Sequence, residues 1–301
     1  MNTAALFQQT PQTTNDVVKP LVPIENIKGV NVDGLYECGP TDIINLVNIC
    51  QVYNENILFD NLNLNIRDFL CENKTSSRGQ FISILGPSGC GKSTVLRYIS
   101  GLQKPTSGRI LIRGEERSNK HVIPMVFQQY SSFPWKTVVE NVALPLLMQG
   151  VDKKEALDKA ADMLRLVGLE GQENKWAKYP LLSGGQLQRV AIARNLVASP
   201  NMLLMDEPFG ALDIQTRTNM QQILLNLFQN INDATILFVT HDISEAVLLS
   251  DRIYIMKSNP GDIKNVVDID LPRDRTPKIK SEMKFIEHVN YIDDLMKITS
   301  N

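Results

Sequence analysis

Apolar residues along this chain gather in short runs separated by polar stretches that carry glycine, proline and asparagine. Three of those runs, Gln80 to Leu85, Met202 to Met205 and Thr235 to Thr240, are nearly continuous and of strand length. A run without a polar face suits a strand covered on both sides, as in a parallel sheet. Ahead of them the pattern changes. Ile43-Ile44, Leu46-Val47, Ile49 and Val52-Tyr53, followed by Ile57-Leu58-Phe59 and the alternating Leu62, Leu64 and Ile66, predict an antiparallel sheet leading into the core. Shorter strands are expected at Arg109–Arg113, between Gly108 and Gly114, and within Val122 to Phe127, ending at Gln128. Two more, Ile253 to Met256 and Val266 to Ile269, flank the turn Asn259-Pro260-Gly261-Asp262.

Helical spacing appears elsewhere. Val95-Leu96-Arg97-Tyr98-Ile99 predicts a helix closing at Gly101. Between Val138 and Ser199, Leu157, Ala160, Ala161 and Leu164 recur at helical intervals, Glu155 stands four residues before Lys159, and Gly168 supplies a stop. A further helix starts at Ser183, which has capping-box spacing to Gln186, and runs to Ser199 before Pro200. A last amphipathic helix is expected over Ile279 to Met296. The polar stretch from Asp68 to Gly79, including Cys71, predicts an exposed loop just before a central strand. Residues 1–42, with Pro11, Pro20, Pro23 and Pro40, read as an irregular extension. The division is therefore an extension (1–42), an α/β domain (43–297) with a helical part at about 136–200, and a short tail (298–301).

Composition narrows the partners. A chain of 301 residues that is 43% hydrophobic can bury a sizeable core, and a formal charge of −2 gives no sign of a nucleic-acid surface. Cys38, Cys50, Cys71 and Cys90 form no C-x-x-C pair or disulfide framework, which fits a reducing compartment. The first residues show no signal peptide, and runs such as Val142 to Met148 are far shorter than the ~20 residues that cross a bilayer. The expectation is a cytosolic protein; if it works on a membrane, another subunit spans it.

The candidate chemistry centres on Gly86 to Thr94, GPSGCGKST, which fits the phosphate-binding pattern G-x-x-x-x-G-K-[ST] between a strand and a helix. Gly86, Gly89 and Gly91 let the backbone approach a phosphate closely, so that N–H groups converge on it at a helix N-terminus. Lys92 adds a full charge, worth about 4 kcal/mol of attraction at a few ångströms and intermediate dielectric. Ser93 offers a hydroxyl to Mg²⁺. Cys90 is either a small residue tolerated in a tight loop or a thiol open to oxidation there. Asp206 and Glu207 end an apolar strand, and His241 ends another. In an open parallel sheet ligands bind at the carboxyl ends of the strands, so these groups and the loop should meet in one crevice. Together with the loop they make the apparatus of P-loop NTPases, in which Asp206 would hold the metal and Glu207 would polarise water.

Leu182-Ser183-Gly184-Gly185-Gln186, lying between that loop and the Asp-Glu-Pro strand end, resembles the signature of the ATP-binding-cassette (ABC) ATPases. The resemblance covers roughly residues 43 to 297 and implies a RecA-like core with an antiparallel β subdomain and a helical insertion. It implies ATP and Mg²⁺ as cofactors, held by Gly86, Pro87, Ser88, Gly89, Cys90, Gly91, Lys92, Ser93 and Thr94, with Ser93, Gln128 and Asp206 at the metal. Glu207, His241, Gln128 and Lys92 would carry catalysis, and Tyr53 would stack on adenine, although the 68–79 loop lengthens its spacing to Lys92. Ser183, Gly184, Gly185, Gln186 and Asp213 of Ala211-Leu212-Asp213 would serve the site of a second copy in a head-to-tail dimer. A serine cap and two glycines at a helix start do present free N–H groups to an anion.

Phe127-Gln128-Gln129, Phe133-Pro134-Trp135, Glu140-Asn141-Val142 and Leu271-Pro272-Arg273-Asp274-Arg275 resemble the nitrate, sulfonate and taurine importers of that family. This implies permease partners, an extracytoplasmic solute-binding protein acting indirectly, no nucleic acid, and a peripheral place on the cytoplasmic face of the membrane. Phe133 and Trp135 are either part of the permease-docking region or ordinary core. The other readings are a soluble ABC ATPase of DNA repair or translation, whose usual coiled-coil insertions or second cassette are missing here, and a regulator without turnover, disfavoured by intact Lys92, Glu207 and His241.

Overall fold

A computed structural model describes residues 36, 38–70, 77–129, 131–210, 212–230 and 234–299. The chain enters through β1 (Cys38–Tyr53) and turns at Asn54-Glu55 into β2 (Asn56–Leu70). The two pair antiparallel, with Ile44 opposite Ile66, Leu46 opposite Leu64 and Ile49 opposite Leu62, so the alternating apolar residues of both strands share the buried face. β1 starts inside the stretch expected to be irregular. Its register shifts between Cys38 and Asp42, across Gly39-Pro40-Thr41, and that break in regular pairing hid the strand from the pattern. Residues 1–35 and 37 of that expected extension lie outside the described residues.

β2 likewise runs into the segment expected to be a loop. Phe69 is fully buried and pairs with Arg78 of β3 (Ser77–Arg78), so both ends of the 68–79 stretch are strand; its middle, residues 71–76, is outside the described residues. After β4 (Gln80–Leu85) and α1 (Lys92–Ser100) the chain returns to the first sheet with β5 (Ser107–Ile112) and β6 (Glu115–Glu116). That sheet has the order β3-β2-β1-β5-β6.

The second sheet is built on β4, whose residues are all buried. β7 (Met125–Val126) is all that the expected Val122–Phe127 strand provides, because Val122 is turned out to solvent. β8 (Met202–Asp206), β9 (Thr235–Thr240), β10 (Arg252–Lys257) and β11 (Asp262–Asp268) complete the order β11-β10-β4-β9-β8-β7. All neighbours are parallel except β10 and β11. Continuous apolar strands suit this position because both sheet faces are covered. Val95, Leu96, Tyr98 and Ile99 of α1 join Ile44, Leu46, Phe59 and Leu62 of one sheet to Ile82, Ile84, Leu204 and Leu237 of the other in a single core. The phosphate loop is thus anchored between two sheets.

Three helices form the inserted part: α2 (Val138–Met148), α3 (Lys153–Leu166) and α4 (Gly184–Leu196). On α3 the buried stripe is Ala156, Ala160 and Leu164, an i, i+4, i+8 line, while Leu157 and Ala161 are only half-buried. The expected set was therefore rotated slightly from the true inner face.

Three helices were not read individually from the sequence: α2 lies in the part expected to be helical but was not assigned there, and two later ones were missed altogether. α5 (Ile214–Asn230) opens with polar Gln, Thr, Arg and Asn and buries Met220, Leu224 and Phe228 only further on; α6 (Ile243–Leu249) carries the continuous run Ala246-Val247-Leu248-Leu249, which has no helical period. The last helix, α7 (Met283–Thr299), begins later than expected, behind a 3-10 turn at Pro277–Ser281, and it continues past the domain end expected at 297. Pro277 favours such a start because it has no N–H to leave unpaired.

Candidate active site

The loop after β4 is shaped by what its glycines touch. A Cβ on Gly86 would lie 2.6 Å from the Met256 carbonyl oxygen of β10. Gly91 has φ +102°, and a Cβ there would meet Phe59 Cζ at 2.3 Å. Phe59 and the 259–261 turn brace the loop from behind, since a Cβ on Gly261 would lie 2.3 Å from Cys90 O. Gly91→Ala is expected to destabilise the protein by more than about 1 kcal/mol and to weaken nucleotide binding, read by urea midpoints and binding titrations. A variant of parental stability would show that the loop is not braced this way.

Among the described residues, the backbone N–H groups of Gly91, Ser93 and Thr94 have no backbone acceptor, Lys92 N–H is directed at the Cys90 thiol, and the first to find a main-chain partner is Val95 N–H, on Gly91 O at 3.0 Å. These open donors sit at the positive end of α1, so the loop is ready for an anion. The Cys90 thiol is buried and burial pushes its pKa up, which favours the reading of a small side chain packed in a tight loop. Pro87 and the exposed Ser88 form the outer bend.

Lys92 is only 5% exposed, and its Nζ donates to Gly86 O at 2.9 Å and Pro87 O at 3.0 Å. It also stands 3.8 Å from Glu207 Oε1. Ser93 Oγ donates to Asp206 Oδ1 at 2.7 Å. Burial raises the Asp206 pKa, with the Glu207 charge adding to it and the Ser93 hydrogen bond opposing it. A cation at this carboxylate would relieve that cost. The oxygen donors of Ser93, Asp206 and Gln128 suit Mg²⁺, which is held by one or two carboxylates together with substrate phosphates. Among the described residues no group of three or more His, Cys, Asp or Glu side chains could hold a metal alone.

Glu207 has φ +42°, an unfavourable conformation for a residue with a Cβ, and its N–H donates to Val239 O at 3.1 Å. Pairing of β8 with β9 sets Asp206 beside Val239, and so brings Glu207 to His241. Glu207 Oε2 lies 3.2 Å from His241 Nδ1, whose side chain is 56% exposed. Gln128 stands across Gly210 from Glu207: a Cβ on that glycine would lie 3.5 Å from Gln128 Nε2 and 3.9 Å from Glu207 Oε2. Lys92, Ser93, Gln128, Asp206, Glu207 and His241 therefore come together on the carboxyl edge of the second sheet.

The other expected site residues lie elsewhere. Ser183 and Gln186 close a reciprocal capping box at 2.9 and 3.2 Å, and Gly185 packs on Thr216, where a Cβ would fall 2.4 Å from Thr216 Cγ2. Asp213 accepts from Thr216 N–H at 2.9 Å and Thr216 Oγ1 at 2.7 Å, and these bonds lower its pKa. Ser183, Gly184, Gly185, Gln186 and Asp213 thus form a second group, where α4 and α5 begin. The contact through Thr216 that joins them was not read from the sequence; the Asp213-x-x-Thr216 cap spacing was its signal. Ala211 lies outside the described residues. Tyr53, half-exposed at the end of β1, accepts a hydrogen bond from Gln103 just past α1, and among the described residues no hydrogen bond ties it to the phosphate loop.

Comparison with known proteins supplies a frame for this geometry. The ABC transporter family matches residues 73–210. The nitrate import ATP-binding protein NrtD of Synechocystis is 45% identical over 226 residues, 73% of this chain and 84% of that protein. The aliphatic sulfonates import ATP-binding protein SsuB of Bacillus cereus is 45% identical over 207 residues, 68% of this chain and 79% of that one. Among solved structures, a dimeric ATP-binding cassette in a post-hydrolysis state with ADP and Pi is 33% identical, with a TM-score of 0.64 over 76% of this chain and 100% of that one.

Proposed function

Since this chain belongs to the ABC transporter ATP-binding family, we propose that it energises an importer of nitrate, a sulfonate, taurine or a related small anion. It is an ATPase that uses ATP and Mg²⁺. Two named relatives import nitrate and aliphatic sulfonates, and the importer reading rests on them rather than on the DNA-repair or translation alternative.

The observation that carries the catalytic assignment is Glu207 held between Lys92 and His241, one residue from the Asp206–Ser93 pair. In this reading the open N–H groups of Gly91, Ser93 and Thr94 bind phosphate oxygens. Lys92 exchanges its two loop carbonyls for phosphate. Ser93, Asp206 and Gln128 would hold Mg²⁺, which supplies charge neutralisation at the phosphates. Glu207 takes the proton of the attacking water, and His241 orients Glu207 and the γ-phosphate. Tyr53 offers its ring to adenine.

Ser183, Gly184, Gly185, Gln186 and Asp213 stand apart from this cluster, and their role is to complete the site of a second copy packed head to tail. Closing two such sites on ATP and reopening them after hydrolysis would move the attached permease subunits between inward- and outward-facing states. The solute-binding protein acts through the permease. Among the described residues no helix is long and apolar enough to cross a membrane, and the proposed place is peripheral, on its cytoplasmic face.

Trp135, 68% exposed beside the half-buried Phe133, is the proposed contact with the permease; Phe133 itself lies under the Arg194 guanidinium. Trp135→Ala is expected to leave the ATPase rate of the isolated chain unchanged and to cut ATP-driven anion uptake by about tenfold, as for loss of an aromatic anchor. The whole reading is tested by recovering the chain from solubilised membranes: co-purification with a protein of several hydrophobic spans supports it, and a chain found without one contradicts it.

A further inference from the structure

Behind His241 lies a buried polar cluster to which the chemistry above gives no part. Glu245, in the first turn of α6, is 5% exposed. Its Oε2 accepts from Thr240 Oγ1 at 2.9 Å and its Oε1 from Gln221 Nε2 at 3.3 Å. Arg217 Nε lies 3.6 Å from the same Oε1, and Arg217 Nη1 lies 3.6 Å from Asp242 Oδ2. Asp242 closes the turn: Oδ1 accepts Glu245 N–H at 3.0 Å, while Asp242 N–H donates to Thr240 Oγ1 at 3.0 Å. Lys280 of the 3-10 turn donates to Gln221 Oε1 at 3.1 Å.

Burial, reinforced by the Asp242 charge, raises the Glu245 pKa. A buried carboxylate is therefore no gain in packing, which an apolar side chain would do better. The Glu245 carboxylate instead ties Thr240, just before His241, to Gln221 of α5, while Asp242, just after it, is held by the Glu245 backbone N–H and faces Arg217 of α5. Arg217 N–H in turn donates to Asp213 O at 2.8 Å, so this grip reaches the group of residues proposed to face the second copy.

We propose that Glu245 is a positioning residue that, with Arg217, fixes the Thr240-His241-Asp242 turn against the start of α5 and so sets how His241 meets Glu207. The inference rests on the roles given above to His241 and Glu207, and it adds to them the support that holds His241 in place.

The test uses the full chain carrying Glu245→Ala, Glu245→Gln, Arg217→Ala or both E245A and R217A. Each is read by steady-state ATP hydrolysis and by the His241 Cε1–H cross-peak in NMR. The chain has 3 histidines, and a His241→Gln sample assigns the peak. In Glu245→Ala and Arg217→Ala, kcat is expected to fall about tenfold while KM for ATP stays within about twofold, since a misplaced group costs rate rather than binding. The double variant should be no slower than the slower single one, because both changes release the same turn. Glu245→Gln keeps an acceptor for Thr240 but loses the charge facing Arg217, and should fall between. The His241 peak should move in every variant.

An unmoved peak in a folded Glu245 variant, or losses of kcat that multiply in the double variant, would overturn the proposal. If Glu245→Ala does not fold, Glu245→Gln and Arg217→Ala carry the same test. A parent chain without ATP turnover would refute the proposed function, whereas the NMR peak still decides whether Glu245 holds the turn.

Discussion

Lys92→Ala is expected to bind ATP at least about a hundredfold more weakly than the parent and to show no hydrolysis above background. A charge a few ångströms from a phosphate oxygen contributes about 4 kcal/mol at intermediate dielectric, close to a thousandfold in affinity. Part of that is offset because Nζ must leave Gly86 O and Pro87 O, at 2.9 and 3.0 Å, before it can engage the ligand. Lys92→Arg should be nearly as damaging, because a planar guanidinium has no room where the native side chain is 5% exposed. Binding titrations with a fluorescent ATP analogue check this. Parental affinity in Lys92→Ala would remove the loop from the site.

Glu207→Gln has the opposite split. Turnover is expected to fall by about a thousandfold, the middle of the range for loss of a positioned base, with ATP affinity kept. The amide is of the same size and can still hydrogen-bond His241, but it cannot take a proton from water. Loss of the negative charge 3.8 Å from Lys92 Nζ also removes an attraction that competes with phosphate for that ammonium, so affinity should if anything rise. Phosphate release and nucleotide binding on one preparation separate the two effects. A Glu207→Gln protein that hydrolyses ATP at the parental rate would take Glu207 out of the mechanism.

The parts legible in the sequence were those written in contiguous residues. Gly86 to Thr94 declares a loop because glycine spacing, lysine and hydroxyls all sit in one turn, and Met202 to Glu207 declares a strand end because nothing polar interrupts it. The meeting of Glu207 with His241 could also be foreseen, since parallel strands deliver their carboxyl ends to one edge. Other features depend on residues far apart. The brace of Phe59 and Gly261 behind Gly91 and Cys90 brings together a strand of one sheet and a turn of the other, and no local pattern announces it.

α5 escaped because its burial begins at Met220, after a polar first turn, and α6 because a run of buried apolar residues has no period. Both are fixed by tertiary contact rather than by propensity. The support of His241 by Glu245 and Arg217 was hidden for the same reason, as it spans α5 and α6. The strand at Cys38 was lost to Gly39-Pro40, which breaks the alternation that marks a strand.

The central claim is that one ATP lies between the Lys92, Asp206, Glu207 and His241 cluster of one copy and the Ser183 to Gln186 helix start of another. Sedimentation of the Glu207→Gln chain with and without ATP tests it most directly. The account predicts monomers without nucleotide and, with ATP, dimers holding one ATP per chain, which Ser183→Arg abolishes. Chains that stay monomeric at saturating ATP, or dimers indifferent to both ATP and Ser183→Arg, would contradict it.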